Sequence, residues 1–168
     1  MSTQLVDRRT LLKSGLAAGA AVALVGAASL PGPAAGMRVL SAHEAEIVAA
    51  MAEAFFPKGA MPVSGAEAGV VRRIDEMLED WFPPVISGAF RYLLRAVEWG
   101  TLASRGCRFT ELDPAQRREV LDAWDDPGLA PRRIASDAMK MAFGIAYFSH
   151  GEVLDHIGWR SACGGRLV

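Results

Sequence analysis

The chain has 168 residues, of which 51% are apolar, and a formal net charge of −1. A chain of this length builds one domain with a single core, and its apolar fraction is too high for intrinsic disorder. The small net charge excludes the strong basic field that attracts nucleic acid or anionic lipid, and two cysteines are too few for a disulfide scaffold.

The N-terminal segment has the organisation of an export signal. A pair of arginines is followed by Leu-Leu-Lys and then by an uncharged run, rich in Ala and Gly, from Ser14 to Met37. A basic region, an apolar region and small residues are typical of a signal peptide, and the arginine pair resembles the twin-arginine motif. The residues that carry this signal are Arg8, Arg9, Leu11, Leu12 and Lys13.

We therefore predict a twin-arginine signal peptide over residues 1–36 and a folded domain over residues 37–168. The alternative is an uncleaved membrane anchor, because the uncharged run is long enough to cross about 30 Å of hydrocarbon. Its glycine content disfavours that alternative.

The domain begins with a strong helix start. Ser41 and Glu44 are spaced as a capping box, in which each side chain satisfies a backbone N–H of the other residue. Apolar residues then recur at helical spacing up to Phe55, and Pro57 ends the helix because it disfavours a helical conformation in the residue before it.

The rest of the domain carries the same helical periodicity. Two apolar stripes, over residues 70–81 and 86–102, are separated by a Pro-Pro pair, and a further helix opens at Asp113, with Gln three residues later as its capping partner. A core stripe with Ile134, Ala138, Met141, Ala142 and Ile145 follows. Ser149 is placed to cap a last short helix, which carries Val153 and Ile157 into the core and is closed by Gly158. No strand pattern occurs, so we predict an all-α fold, a single compact bundle of about five helices after the signal segment.

The chain lacks the sequence patterns that place chemistry in a protein. His150 and Glu152 have the His-x-Glu form of zinc deaminases, but the companion Pro-Cys-x-x-Cys is missing. No Gly-rich phosphate loop follows a strand, and no Cys-x-x-Cys-His haem motif occurs. We expect no catalytic residue, no cofactor site and no metal site in this chain.

The two cysteines, Cys107 and Cys163, would reach an oxidising compartment after export. They would either pair with each other, closing a loop of about 56 residues, or leave Cys163 to bond with a partner chain, or stay unlinked. The sequence leaves these three alternatives open.

Four short segments, in their order and spacing, resemble those of a known family. They are residues 40–57 with Phe-Phe-Pro at their end, residues 66–75, the run Phe-Thr-Glu-Leu-Asp-Pro-Ala-Gln-Arg at 109–117, and residues 148–159 with Phe-Ser-His-Gly-Glu-Val at their start. Together they resemble gluconate 2-dehydrogenase subunit 3, the small subunit of flavin-dependent sugar and alcohol dehydrogenases.

The resemblance implies a role for the chain without an active site of its own. Members of the family pair with a large FAD-dependent flavoprotein of the glucose-methanol-choline (GMC) group, and a cytochrome c subunit often completes the complex. The small subunit supplies the twin-arginine signal and helps the flavoprotein mature. For this chain it implies a non-catalytic, periplasmic subunit, associated with the membrane through its partners or an uncleaved signal.

Two classes of function remain open from the sequence. A partner subunit would keep an apolar face uncovered after the bundle forms, and the aromatic residues exceed what so small a core needs. The candidate interface residues are Phe90, Trp99, Phe148 and Trp159. An independent exported binding or stress module would instead be a monomer with a polar surface.

The twin-arginine prediction is tested by replacing both arginines of the motif, Arg8→Lys with Arg9→Lys. We expect the protein, and any partner carried with it, to stay in the cytoplasm, because lysine keeps the charge but not the motif. The matched control changes the other arginine pair, Arg72→Lys with Arg73→Lys, which should still be exported. Unchanged periplasmic recovery of the first double variant would contradict the prediction.

Overall fold

The computed structural model describes residues 30–59, 61–125 and 130–159, so the predicted signal residues Arg8, Arg9, Leu11, Leu12 and Lys13 lie outside it. Across these ranges the chain is helical, without a strand, and Lys58 and Met61 form an isolated bridge. The helices of ten or more residues there are α1 (Ala42–Phe55), α2 (Val70–Asp80), α3 (Pro84–Gly100), α5 (Pro114–Ala123) and α6 (Ala130–Phe148).

Shorter helical pieces complete the described chain: α4 (Leu102–Arg105), a 3-10 helix (Phe109–Glu111) and α7 (Gly151–His156). The predicted all-α bundle is confirmed. Within the described ranges, no helix combines the length and the apolar character that crossing a bilayer requires.

Helix α1 is the centre of the bundle. It packs against α2, α3, α5 and the 3-10 helix, and half of its residues are buried, with Ile47, Val48 and Met51 fully enclosed. Helix α2 also packs against α3 and α6, and α6 carries α7. The last two helices therefore form the periphery of the structure.

Local capping rules place the helix starts well. The Ser41 N–H donates to Glu44 Oε2 at 2.9 Å and the Glu44 N–H donates to Ser41 Oγ, which confirms the predicted box. Asp113 and Gln116 form the second box, at 2.9 and 3.3 Å. The prediction for Ser149 is wrong: its hydroxyl donates back to the Ala146 carbonyl at 2.8 Å, and α7 begins without a side-chain cap.

Glu44 is also the centre of a buried charge cluster. Its carboxylate accepts from Arg91 Nε and Nη2 at 3.0 and 2.8 Å, and from Arg95 Nε at 3.2 Å, so it joins α1 to α3. Burial, the largest single effect, raises the pKa of Glu44. The hydrogen bonds from Arg91 and Ser41 and the charge of Arg91 together outweigh it and hold that pKa below its ordinary value.

The orientation of α6 differs from the sequence prediction. Met139, Phe143 and Tyr147 face the core, whereas the predicted core residues Ile134, Met141 and Ile145 are exposed. Both sets have helical spacing, so α6 is apolar on two faces and the bundle covers one of them. Other residues assigned to core stripes are exposed as well, namely Trp81, Ile86, Leu102 and Ile157.

The Glu44 cluster makes a stability prediction. Glu44→Gln should lower the free energy of unfolding at pH 7 by about 3 kcal/mol, because it leaves the buried Arg91 without a counter-charge. Since the pKa of Glu44 is lowered on folding from 4.5, the wild-type contribution is complete above pH 4.5 and is lost as the pH falls through the folded-state pKa. The difference between variant and wild type should therefore shrink in acid, as measured by urea unfolding.

The matched control is Glu46→Gln, an exposed carboxylate on the same helix that contacts His43 at 3.2 Å. It should change the free energy of unfolding by no more than about 0.5 kcal/mol. A Glu44→Gln variant as stable as this control would show that the buried cluster does not hold α1 to α3.

Candidate functional site

An apolar groove lies between the end of α2, the last turns of α6 and helix α7. It encloses about 870 Å³. Its apolar walls are formed mainly by Trp81, Ile145, Phe148, Leu154, Ile157 and Trp159. Arg73, Ser149 and His150 supply its polar groups.

The groove exposes an unusual amount of apolar side chain. The exposed fractions are Trp81 54%, Ile145 41%, Phe148 44%, Ile157 46% and Trp159 61%. A large aromatic side chain covers roughly 150–250 Å², so these five together present roughly 500 Å². Met141 and Ile134, nearer the start of α6, are exposed as well, and all seven side chains together present about 750 Å². The five side chains of the groove alone match the roughly 300–600 Å² of the largest patch on a typical monomer, which is often functional.

Local contacts hold two of the three aromatic rings of the groove, those of Trp81 and Phe148. The Arg73 guanidinium lies 4.9 Å from the centre of the Trp81 ring, a cation–π contact. The Phe148 ring meets Tyr147 edge-on at 5.3 Å between centroids. Tyr147 itself is fully buried and donates its hydroxyl to the Val63 carbonyl at 2.6 Å. The Phe148 ring therefore packs on a side chain that is buried and fixed by a hydrogen bond.

The end of α7 places Trp159 at the rim of the groove. Gly158 has a left-handed φ of 70°, and its N–H donates to the Asp155 carbonyl. The Trp159 N–H then donates to the Leu154 carbonyl at 2.9 Å. These two bonds are a Schellman motif, which satisfies the last helix carbonyls and reverses the chain direction. Any side chain at Gly158 would strain this turn.

The polar atoms of the groove keep unused hydrogen-bonding capacity. His150 Nδ1 and Arg73 Nε are buried and find no hydrogen-bond partner within the described part of the chain. A buried polar atom without a partner is costly, and both atoms are too enclosed to be reached from the open groove.

Two of the four predicted interface residues meet in the groove and two do not. Phe148 and Trp159 line it. Trp99 is exposed but lies outside the groove lining, near the end of α3, where the Arg108 guanidinium is 4.9 Å from its ring centre. Phe90 is a core residue, with its ring 6.5 Å from that of Phe82, so it contributes nothing to the exposed surface.

Sequence reasoning missed Trp81, Ile145 and Ile157 because it assigned them to core stripes. One signal could have identified Ile145. Between residues 134 and 148, α6 carries apolar residues at 134, 141, 145 and 148 besides the buried set at 139, 143 and 147. A helix that is apolar on two faces has one face too many for a single core.

The polar clusters of the described residues have structural roles. Glu98 is fully buried and accepts from the Thr110 N–H and hydroxyl at 3.1 and 2.8 Å, which fastens the 3-10 helix to α3. Hydrogen bonds from the Ser64 N–H, which has the largest effect, from the Ser64 hydroxyl and from Lys58 lower the pKa of Glu67 to about 2. Over the described ranges, no group of three or more His, Cys, Asp or Glu could hold a metal ion.

Of the two cysteines, the structure describes Cys107. Cys107 is partly buried, and its carbonyl accepts from the Thr101 hydroxyl at 2.8 Å. Cys163 lies outside the described residues. Their pairing stays a prediction.

The fold and the groove together define a small helical protein that leaves an apolar surface exposed after its bundle has formed. The chain belongs to the gluconate 2-dehydrogenase subunit 3 family, whose model matches residues 42–162. The match confirms the resemblance carried by the four sequence segments, and the family name designates a subunit of a dehydrogenase complex. The chain is thus a subunit-3-like accessory protein. No curated protein and no solved structure matches it.

The groove predicts how the isolated protein binds an apolar dye. The double variant Ile145→Gln with Ile157→Gln should at least halve the fluorescence of bound anilinonaphthalene sulfonate, because both side chains present apolar surface there. It should change the free energy of unfolding by less than about 1 kcal/mol, as expected for exposed sites. Val85→Gln removes an even more exposed side chain that does not line the groove, and should leave dye binding unchanged. Equal fluorescence of all three proteins would contradict the assignment.

Proposed function

We propose that this chain is the non-catalytic small subunit of a periplasmic FAD-dependent dehydrogenase of the GMC group, and that it serves the large flavoprotein as an export and maturation factor. The observation that carries the proposal is the family match over residues 42–162. In this account FAD and the reacting groups belong to the flavoprotein, and this chain contributes surface and signal.

The groove is the surface through which the flavoprotein binds. A standard interface takes about 800 Å² from each partner, and the apolar surface from Trp81 to Ile134 presents about 750 Å². Trp81 and Trp159 are the expected anchors, because large aromatic residues at the centre of an interface contribute most of its binding energy. A lasting complex would add polar contacts around this centre and bury about 2,000 Å² or more in total.

The export role follows from the pathway that the arginine pair predicts. The twin-arginine route moves proteins that are already folded, so one signal on the small subunit would carry a folded, FAD-loaded partner with it. Since we expect no cofactor in the helical body itself, co-transport of a folded partner would be the reason for using this route. A cytochrome c subunit and membrane association through the partners would complete the complex in the periplasm.

The second candidate is an independent exported helical module that binds or protects without a flavoprotein. It requires a monomer with a polar surface. The uncovered groove between Trp81 and Trp159 gives it no support.

Co-expression with a GMC-type flavoprotein from the same organism tests the proposal. The flavoprotein should co-purify with the chain, and its yield or its flavin content per polypeptide should rise severalfold when the chain is present. If the flavoprotein is equally soluble, flavinated and exported when the chain is deleted, the accessory role fails and the independent module takes its place.

Variants of the same complex test the groove. Trp81→Ala with Trp159→Ala should weaken the complex at least a hundredfold, because truncating one aromatic anchor costs about 2 kcal/mol or more. Trp99→Ala removes an exposed tryptophan outside the groove and should leave the affinity within about threefold. A stronger effect of Trp99→Ala would place the binding surface at the end of α3 instead.

A further inference from the structure

The segment before α1, residues 31–40, is fixed to the helical body by two buried charged side chains. Asp75 of α2 is almost fully buried, and its carboxylate accepts three consecutive backbone N–H groups, those of Arg38 at 2.7 Å, Val39 at 3.0 Å and Leu40 at 2.8 Å. Hydrogen bonds to an ionised acceptor are among the stronger ones in proteins. The end of the segment is therefore held tightly against α2.

The start of the segment is held by α3. Arg91 Nη2 donates to the Pro31 carbonyl at 2.6 Å, and the same guanidinium is bound to Glu44. The anchor for Pro31 is thus part of the charge cluster that joins α1 to α3. Moving Pro31 away would leave a buried donor without its partner.

Between these two anchors the backbone folds on itself. The Ala34 N–H donates to the Leu40 carbonyl at 2.9 Å, and the Met37 N–H donates to the Ala34 carbonyl at 3.0 Å. Gly36 turns the chain with a left-handed φ of 82°. The segment is a closed loop and not an extended strand.

We propose that residues 31–40 belong to the folded body, and that processing of the leader occurs before Pro31 and leaves this segment on the protein. A peptidase must pull the chain on both sides of the cut bond out of its folded contacts, so cleavage follows the local opening equilibrium. The small residues Ala34, Ala35 and Gly36 would suit a signal peptidase, and the expected boundary at 36 lies there. In the loop, this site is held by folded contacts on both sides. The other small-residue run, Gly26-Ala27-Ala28, precedes the first anchored residue, Pro31.

The inference rests on the proposed function in one respect, that the body is folded when the leader meets the peptidase. A test that needs no export is therefore available. After Arg8, Arg9 and Lys13, the next trypsin site in the chain is Arg38, inside the loop. In the purified full-length protein, limited trypsin treatment should cut the Arg38–Val39 bond at least tenfold more slowly than the bonds after Arg8, Arg9 and Lys13, read by intact mass.

Two variants make this test specific. Asp75→Asn removes the charge and replaces one acceptor oxygen by a donor, so cleavage after Arg38 should speed up at least tenfold. Asp80→Asn removes the exposed ion pair of Arg38, at 3.0 Å, and leaves the three backbone bonds in place, so cleavage should stay within twofold of wild type. Circular dichroism establishes that Asp75→Asn is folded, and if it is not, the wild-type and Asp80→Asn rates decide. Cleavage of folded wild type after Arg38 as fast as in the leader overturns the inference.

The N-terminus of the protein recovered from the periplasm gives the second test. A first residue at or before Pro31 supports the inference. Any first residue after Pro31 overturns it and leaves the accessory role standing. Failure to recover any exported protein counts against the proposed function, and the trypsin rates then decide the inference alone.

Discussion

The structure depends on one buried carboxylate, that of Glu44. It completes the cap of α1, forms ion pairs with Arg91 and Arg95 on α3, and through Arg91 fixes the carbonyl of Pro31. A buried charge is tolerable only when its partners satisfy it, and here the carboxylate accepts five hydrogen bonds. This carboxylate therefore positions three parts of the chain relative to one another: the segment that leads into α1, α1 itself and α3.

The apolar groove exists because only one of the two apolar faces of α6 packs into the core. The central helix α1 takes its neighbours from α2, α3, α5 and the 3-10 helix, and α6 reaches the bundle chiefly through α2. Phe143 and Tyr147 pack one face of α6 into the core, whereas the face with Ile145 and Phe148 has only the short α7 beside it. An exposed surface of this size in an accessory subunit is explained most simply as the binding site of a larger partner.

The sequence predicts those features that depend on neighbouring residues. Helix starts at Ser41 and Asp113 and the end of α7 at Gly158 follow from local hydrogen bonds, and all three are present. It does not predict features that depend on distant residues. The role of Asp75 as acceptor for a loop 35 to 37 positions away is one example.

The faces of α6 show the same limit for the candidate site. Periodicity identifies apolar positions but does not tell which of two apolar faces meets the core, so Ile145 was assigned to the wrong one. An aromatic count likewise does not distinguish Phe90, which is buried, from Trp81, which is exposed. The same aromatic surplus predicts Phe148 and Trp159 as interface residues, and these two do line the groove.

Hydrogen–deuterium exchange of the chain, alone and bound to the flavoprotein proposed as its partner, tests most directly whether the groove is the binding surface. If it is, binding slows exchange in residues 145–159 and around Trp81, while peptides that contain Val85 or Trp99 exchange as in the free chain. Protection confined to the end of α3, with residues 145–159 unchanged, would contradict the account.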